Sequence, residues 1–162
     1  MPTNGELIRR WFEEVWNQGR EATIDELVAK HAVGKGQTID GSSISGPDSF
    51  RQFWTALRSV FSSIHVDIHH VVEQGDLALL QWTITMTHTG DFMGMPASGR
   101  EIVATGMSLQ RFENGKIVEA WDNWDQLGAF AQLGEMSRGQ MALSAVTRPA
   151  VKNSEAPQRK SA

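Results

Sequence analysis

The sequence predicts an α+β fold in which a curved, mostly antiparallel sheet wraps around N-terminal helices and forms a cone-shaped barrel with an apolar pocket. Hydrophobic residues recur at helical spacing as far as residue 61, and from residue 64 they alternate with polar residues as in strands. Asn114-Gly115, between two alternating runs, is typical of a hairpin turn. We expect one domain over residues 1–135, followed by a polar, flexible tail over residues 136–162.

Composition excludes several classes of protein. The 162 residues suffice for one domain with a hydrophobic core. A net charge of −4 predicts no surface for nucleic acid, and the lack of cysteine excludes disulfides, thiolate nucleophiles and cysteine-based metal sites. No apolar run approaches the roughly 18 residues of a membrane span, and the N-terminal residues lack the apolar core of a signal peptide. We therefore expect a cytoplasmic protein with no membrane partner.

Three helices are predicted before the sheet. The first covers residues 5–18 and has an aromatic-rich apolar face, and the second covers residues 24–30. Residues 32–46 are rich in Gly and Ser and are predicted to form a loop with at most one short strand. The third helix begins near Pro47 or Asp48, because Gly-Pro followed by Asp and Ser is typical of a helix start. Its apolar face consists of Phe50, Phe53, Trp54, Leu57, Val60 and Phe61.

Four consecutive strands and a short closing helix are predicted to follow. The first two strands are joined by a turn at residues 74–76. On the second strand Trp82, Met86 and His88 share the buried face, so His88 is expected at the inner edge of a concave sheet. The remaining elements are strands over residues 100–112 and 116–125 and a helix over residues 127–133.

The aromatic composition is skewed, with six Trp and seven Phe but no Tyr. These residues either fill a tryptophan-rich core or line a pocket for a flat ligand that contains rings, and the sequence leaves both interpretations open. In the second interpretation the helix and strand aromatics that contact the ligand are Trp16, Phe50, Trp54 and Trp82.

Two residues are candidates for acid–base chemistry. Asp125 ends the last strand among aromatic residues, where burial would raise the pKa of its carboxyl group; alternatively, it caps the closing helix. His88 either donates to a substrate oxygen as a neutral imidazole or is satisfied by the turn that follows its strand. Asp122 falls on the opposite strand face from Asp125 and is predicted to be solvated or paired with a base such as Arg111.

No metal or cofactor site is predicted. His65 and His69 share a strand face, but four residues of strand separate them by roughly 13 Å, which is too far for both to bind one ion. The sequence contains no zinc-protease motif, nucleophile elbow, dinucleotide fingerprint or phosphate loop. Any chemistry is therefore expected to be cofactor-free acid–base work in an apolar cavity.

The sequence resembles the SnoaL-like polyketide cyclases, also called ester cyclases, over residues 5–135. This family belongs to the cone-shaped α+β barrel superfamily that includes ketosteroid isomerases, and the ending GKIxExWxxxD…QLG is fairly specific for it. The matching residues are His88-Thr89-Gly90-Asp91-Phe92, Gly94, Pro96, Ser98-Gly99-Arg100, Gly106-Met107, Arg111-Phe112, Asn114-Gly115-Lys116-Ile117, Glu119, Trp121, Asp125 and Gln132-Leu133-Gly134.

The resemblance implies an intramolecular aldol closure of a polyketide ester without a cofactor, in which Asp125 removes and returns the proton. It places His88 at the His of the family's HTG segment. Trp121 matches a pocket aromatic of the family, and Phe92 and Met107 are further expected contacts. A third polar contact falls on His31 or Lys35, depending on the alignment; alternatively, His31 is a cation at a helix C-terminus.

Membership of a family does not by itself fix a reaction. The alternatives are a non-catalytic module that binds small molecules or mediates assembly, and a hydroxylase-like enzyme that needs no cofactor. The expected ligand is a small aromatic or polycyclic compound. The resemblance also implies a homodimer or higher homo-oligomer, formed through the outer face of the sheet.

Overall fold

A computed structural model describes residues 1–134 of the chain. The six strands form one curved sheet that does not close on itself, and the first helices and α3 pack against one face of it. The predicted α+β fold with a mostly antiparallel sheet is confirmed. The elements in chain order are α1 (Asn4–Trp11), a π-helix (Phe12–Asn17), α2 (Ala22–Leu27), β1 (Val28–Lys35), β2 (Ile44–Ser45), α3 (Gly46–Val60), β3 (Phe61–Gln74), β4 (Leu77–His88), β5 (Glu101–Glu113), β6 (Lys116–Trp124) and α4 (Gln126–Leu133).

The order of the strands places the first long strand beside the last. The sheet runs β2-β1-β6-β5-β4-β3, and every neighbouring pair is antiparallel except β1 and β6, which are parallel. Residues of β6 that face the helices are therefore flanked by strands on both sides. Side chains on a central strand such as β6 are more fully enclosed than side chains on an edge strand.

The first helical segment forms as predicted but changes its winding. Thr3 accepts a hydrogen bond from the backbone N–H of Glu6, whose side chain accepts from the backbone N–H of Thr3, and this capping box starts α1. From Phe12 the winding becomes that of a π-helix, a form that is frequent at functional sites. The indole N–H of Trp54 donates to the carbonyl oxygen of Val15 at 3.2 Å, which holds α3 against this segment.

The segment between α2 and α3 differs from its prediction. The helix predicted over residues 24–30 ends at Leu27. An eight-residue strand, β1, covers the last three residues of that predicted helix and the start of the segment predicted as a loop with at most one short strand. Val28, Ala29 and Ala32 of this strand are buried. Its backbone is paired on one side with β2 and on the other with β6, which is remote in sequence. Local propensity does not reveal such pairing, because strand preference depends on the neighbours in the sheet.

A β-bulge in the last strand reverses the faces that alternation predicts. Arg111 and Phe112 are adjacent on β5, but they pair with Glu119 and Ile117, so that Val118 is an extra residue on β6. Because strand side chains alternate with a period of two, one extra residue moves every later side chain to the opposite face.

Beyond the bulge, Ala120, Asp122 and Trp124 face the helices, whereas Trp121 and Asp125 face the outside. The strand ends at Trp124, and Asp125 caps α4. None of the helices in residues 1–134 combines the length and apolar character needed to cross a membrane. The tail predicted over residues 136–162 lies outside the described residues, and the domain boundary at residue 135 stays a prediction.

Candidate active site

A cavity of about 130 Å³ lies between the inner face of the sheet and the helices. Among the described residues, three polar side chains interrupt its apolar lining: Gln37, Gln110 and Asp122. A mostly apolar enclosure with a few convergent polar groups is the usual form of a small-molecule site. The aromatic residues of the lining are Trp11, Phe12, Trp16, Phe50, Phe53, Trp82 and Trp124.

Asp122 is the acidic group of this cavity and is held by two neutral donors. The hydroxyl group of Ser108 donates to one carboxylate oxygen, and Nε2 of Gln37 donates to the other. The indole N–H of Trp82 in turn donates to the Ser108 oxygen at 3.0 Å. Because the Ser108 oxygen already accepts a hydrogen bond from Trp82, its own proton is directed to Asp122.

The surroundings of Asp122 change its acidity. Burial disfavours the carboxylate and raises the pKa of Asp122 from 3.8 to about 6, although the hydrogen bonds from Ser108 and Gln37 oppose this rise. Part of the side chain remains accessible from the cavity. A carboxyl group with a pKa near 6 is mainly ionised at neutral pH and is a stronger base than an ordinary Asp, which suits proton transfer from carbon.

Gln37 reaches the carboxylate because the loop after β1 crosses β6 at very short range. Gly36 has a φ of 86°, and a Cβ atom at this position would lie 1.9 Å from the backbone oxygen of Asp122. The indole N–H of Trp124 also donates to the carbonyl oxygen of Gly36 at 3.1 Å. Only glycine permits both this conformation and this approach, so Gly36 fixes the position of Gln37.

Asp125 lies outside the cavity, so the prediction that it faces inward is wrong. Its side chain is exposed and accepts a hydrogen bond from the backbone N–H of Gly128 at 2.8 Å, as the cap of α4. The bulge at Val118 explains the error, because it exchanges the two faces of the strand end. The catalytic role predicted for Asp125 stays a prediction that its position does not support.

Asp122 also differs from its prediction as a solvated or Arg-paired residue. Arg111 instead forms ion pairs with Asp76 and with Glu119, the latter at 2.8 Å, on another part of the sheet. No group of three or more potential metal-ligating side chains is found within residues 1–134.

His88 is buried at the inner end of β4, as predicted, but it does not line the cavity. Its Nδ1 lies 2.9 Å from the hydroxyl oxygen of Ser98 and accepts from the backbone N–H of Ser98 at 3.3 Å. The ring of Phe61 packs beside it, with 5.7 Å between the centroids. In this structure His88 therefore holds the connection between β4 and β5, and its predicted contact with a substrate oxygen stays untested.

The structure brings three of the predicted ligand contacts into the cavity: Trp16, Phe50 and Trp82. Trp54 is buried behind the lining, where it packs against the π-helix and Arg58. The others lie elsewhere. Trp121 and Met107 line a shallow groove on the outer face of the sheet, Phe92 stacks on Phe130, and His31 is exposed on β1.

Four polar residues around the cavity were missed by the sequence analysis: Gln37, Ser108, Gln110 and Asp122. Alternation along β5 places Ser108 and Gln110 on one face, and both are buried, so a polar pair on an inner face was an available signal. Gln37 gave no such signal, because its role depends on the loop crossing at Gly36.

Comparison with known proteins identifies a family. The family model for SnoaL-like polyketide cyclases matches residues 6–133. The chain is 30% identical over 136 residues to the aklanonic acid methyl ester cyclase DnrD of Streptomyces peucetius, covering 83% of this chain and 93% of the relative. It is also 30% identical to the aklanonic acid methyl ester cyclase DauD of Streptomyces sp. strain C5, covering 80% of this chain and 81% of the relative.

Solved structures show the same fold. The crystal structure of wild-type IdmH from Streptomyces antibioticus superposes with a TM-score of 0.70 at 27% identity, covering 82% of this chain and 99% of IdmH. A SnoaL-like protein from Jannaschia sp. CCS1 superposes with a TM-score of 0.71 at 21% identity, covering 79% and 89% of the two chains. The match to the family model and the related cyclases together show that the chain belongs to the SnoaL-like polyketide cyclase family.

Proposed function

We propose that this protein closes a ring of a polyketide ester by an intramolecular aldol reaction, with Asp122 as the residue that carries the proton. The observation that carries the proposal is a single carboxyl group in an aromatic cavity, with a pKa of about 6 and two neutral hydrogen-bond donors. The names of the relatives, which are aklanonic acid methyl ester cyclases, support a polyketide ester as the class of substrate.

The proposed reaction begins when the Asp122 carboxylate takes a proton from a carbon next to a carbonyl group. The enolate carbon then attacks a second carbonyl carbon of the same molecule, so that one carbon–carbon bond forms and the attacked carbonyl becomes an alkoxide. Asp122 returns its proton to the alkoxide and is a carboxylate again. The product is an isomer of the substrate, so the reaction balances without an oxidant or reductant.

The two donors leave Asp122 free to act as a base. Each carboxylate oxygen accepts one hydrogen bond and keeps further lone-pair capacity for a proton. Because Ser108 and Gln37 are neutral, they hold the carboxylate in place without the strong reduction in basicity that an adjacent Lys or Arg would cause.

The size of the cavity indicates how a polycyclic ligand would bind. A cavity of about 130 Å³ is similar to an apolar cavity of roughly 150 Å³ that holds benzene. It therefore encloses about one ring at a time. The rest of the ligand would extend past the half-buried aromatic residues Trp16, Phe53 and Trp124, with the reacting ring beside Asp122.

Two matched substitutions test this proposal. We expect Asp122→Asn to lower kcat on aklanonic acid methyl ester by a factor of about 10² to 10⁴, since it removes the proton carrier. Asp125→Asn should leave kcat nearly unchanged, because Asn is also a good helix cap. Chromatographic separation of the substrate from its isomeric product measures both rates. The proposal fails if the Asp122 variant keeps its rate, and loss of activity only in the Asp125 variant would restore Asp125 as the candidate base.

A further inference from the structure

We propose that Gln110 is a ligand-binding residue whose amide oxygen accepts a hydrogen bond from a hydroxyl group on the ring held in the cavity. Contact with this oxygen determines which carbon of the ligand lies beside Asp122. The effect on turnover rests on the proposed ring closure, whereas the effect on binding does not.

Gln110 is a polar residue where folding alone calls for an apolar one. It lies on the inner face of β5, is 3% exposed and lines the cavity. Its Oε1 is buried and has no hydrogen-bond partner among the described residues. A buried amide oxygen without a hydrogen-bond partner costs free energy, and an apolar side chain of the same shape would avoid that cost. A ligand that donates a hydrogen bond to Oε1 accounts for a Gln at this position.

The neighbours of Gln110 leave space for such a contact. On the two adjacent strands its directly paired residues are Ala78 and Ala120, whose side chains are single methyl groups. Ala120 and Ile117 also line the cavity, and Ile117 is buried. The amide is thus flanked by small residues and faces a space that no larger side chain fills.

Along the sheet, the positions of Gln110 and Asp122 are about one ring apart. Ser108 pairs with Asp122, and Gln110 lies two residues further along the same face of β5. Two residues of strand span roughly 7 Å. A six-membered ring with one oxygen substituent spans a similar distance. A ligand oxygen bound by Gln110 therefore places the far side of its ring near the Asp122 carboxylate.

Matched bicyclic probes test the binding. Tetralin carries no oxygen, 1-tetralone carries a carbonyl group, and 5,6,7,8-tetrahydro-1-naphthol carries a hydroxyl group. Four Trp line the cavity, so quenching of Trp fluorescence reports each Kd. We expect Gln110→Met to weaken binding of 5,6,7,8-tetrahydro-1-naphthol about tenfold, the size of one hydrogen bond, without weakening that of tetralin or 1-tetralone, because only the hydroxyl group can donate to Oε1. A loss of affinity for 1-tetralone that equals the loss for the hydroxyl probe would contradict recognition of a donor.

Gln81→Met is the matched control, because Gln81 lies on the outer face of β4 and lines the outer groove. It should change none of the three Kd values. The proposal is wrong if Gln110→Met changes all three Kd values by the same factor. It is also wrong if all three Kd values stay unchanged, which would mean that Gln110 binds only water. If Gln110→Met does not fold, Gln110→Leu gives the same comparison.

Stability and turnover separate this inference from the ring-closure proposal. Gln110→Met should raise Tm, because it removes a buried amide oxygen that has no hydrogen-bond partner, whereas loss of a purely structural contact would lower Tm. Asp122→Asn should keep the wild-type preference among the three probes even though it loses turnover. If the wild-type protein shows this probe preference but has no cyclase activity, the ring-closure proposal is refuted and the role of Gln110 is not.

Discussion

The acidity of Asp122 is set by two opposing effects. Burial raises the pKa of its carboxyl group, the hydrogen bonds from Ser108 and Gln37 lower it, and the outcome is about 6. The donors therefore determine the pH at which the carboxyl group becomes a base. Ser108 is also the residue through which Trp82 acts on Asp122, since the indole N–H orients the hydroxyl group.

We expect Ser108→Ala to shift the acidic limb of the kcat/KM profile to higher pH. Loss of the hydroxyl donor removes a contact that stabilises the carboxylate, so the pKa of Asp122 rises above about 6. Activity measured across pH 4 to 9 tests this expectation. Ser59→Ala is the control, because Ser59 bonds only to a helix carbonyl at the surface. An acidic limb that stays in place or moves to lower pH would contradict the role of Ser108.

Residue-level prediction failed at Asp122 and Asp125 for one geometric reason. Both are Asp near the end of the same strand, and strict alternation assigns them to opposite faces. The extra residue at Val118 exchanges these faces, and no glycine or proline marks the bulge in the sequence. Trp82 was placed correctly because β4 pairs with β5 without any such irregularity.

Among the larger elements, the contact between the β1–β2 loop and β6 completes the site. The loop carries Gln37 to Asp122, and the close approach at Gly36 fixes it. The start of α3 was predicted within two residues, because the residues that start a helix are local in sequence. The strand β1 was not predicted, because its partner β6 lies about ninety residues away.

We expect Gly36→Ala to destabilise the protein by several kcal/mol and to reduce turnover. A methyl group there meets the backbone oxygen of Asp122, which cannot move aside as a flexible side chain could. Gly41→Ala is the matched control: Gly41 also has a positive φ, but a Cβ atom there would meet nothing within 4 Å. The control should lose only about 1–2 kcal/mol, the cost of the left-handed conformation. Urea denaturation measures both values, and equal losses would contradict the proposed contact.

In the molecule as a whole, the pKa of a carboxyl group that stabilises the fold is lowered, whereas the pKa of the candidate catalytic carboxyl group is raised. The pKa of Glu14 is lowered to about 2 by hydrogen bonding and charge pairing with Arg10 and by hydrogen bonds from Thr23 and Arg20. Glu14 therefore contributes stability that is lost as the pH falls from 4.5, its ordinary pKa, towards 2. The pKa of Asp122 is raised instead. Its contribution to stability is present below pH 3.8 and is lost as the pH rises to about 6.

We expect Asp122→Asn to stabilise the protein at neutral pH but not at low pH. The shift of the Asp122 pKa from 3.8 to about 6 corresponds to roughly 3 kcal/mol. The free energy of unfolding of the variant minus that of the wild type should therefore rise between about pH 4 and pH 6 and then level off. Denaturant titrations at several pH values provide this difference. A difference that is constant over this range would show that Asp122 is not destabilised by burial of its charge.

The neighbouring positions of β1 and β6 have a consequence for synthesis of the protein. A nascent chain that ends before β6 (Lys116–Trp124) leaves exposed the edge of β1 that pairs with β6, and it lacks both Asp122 and Trp124. Contacts of such long range also slow folding. The ribosome must therefore synthesise nearly the whole domain before the cavity can be enclosed. The incomplete chain would need chaperones most during this time.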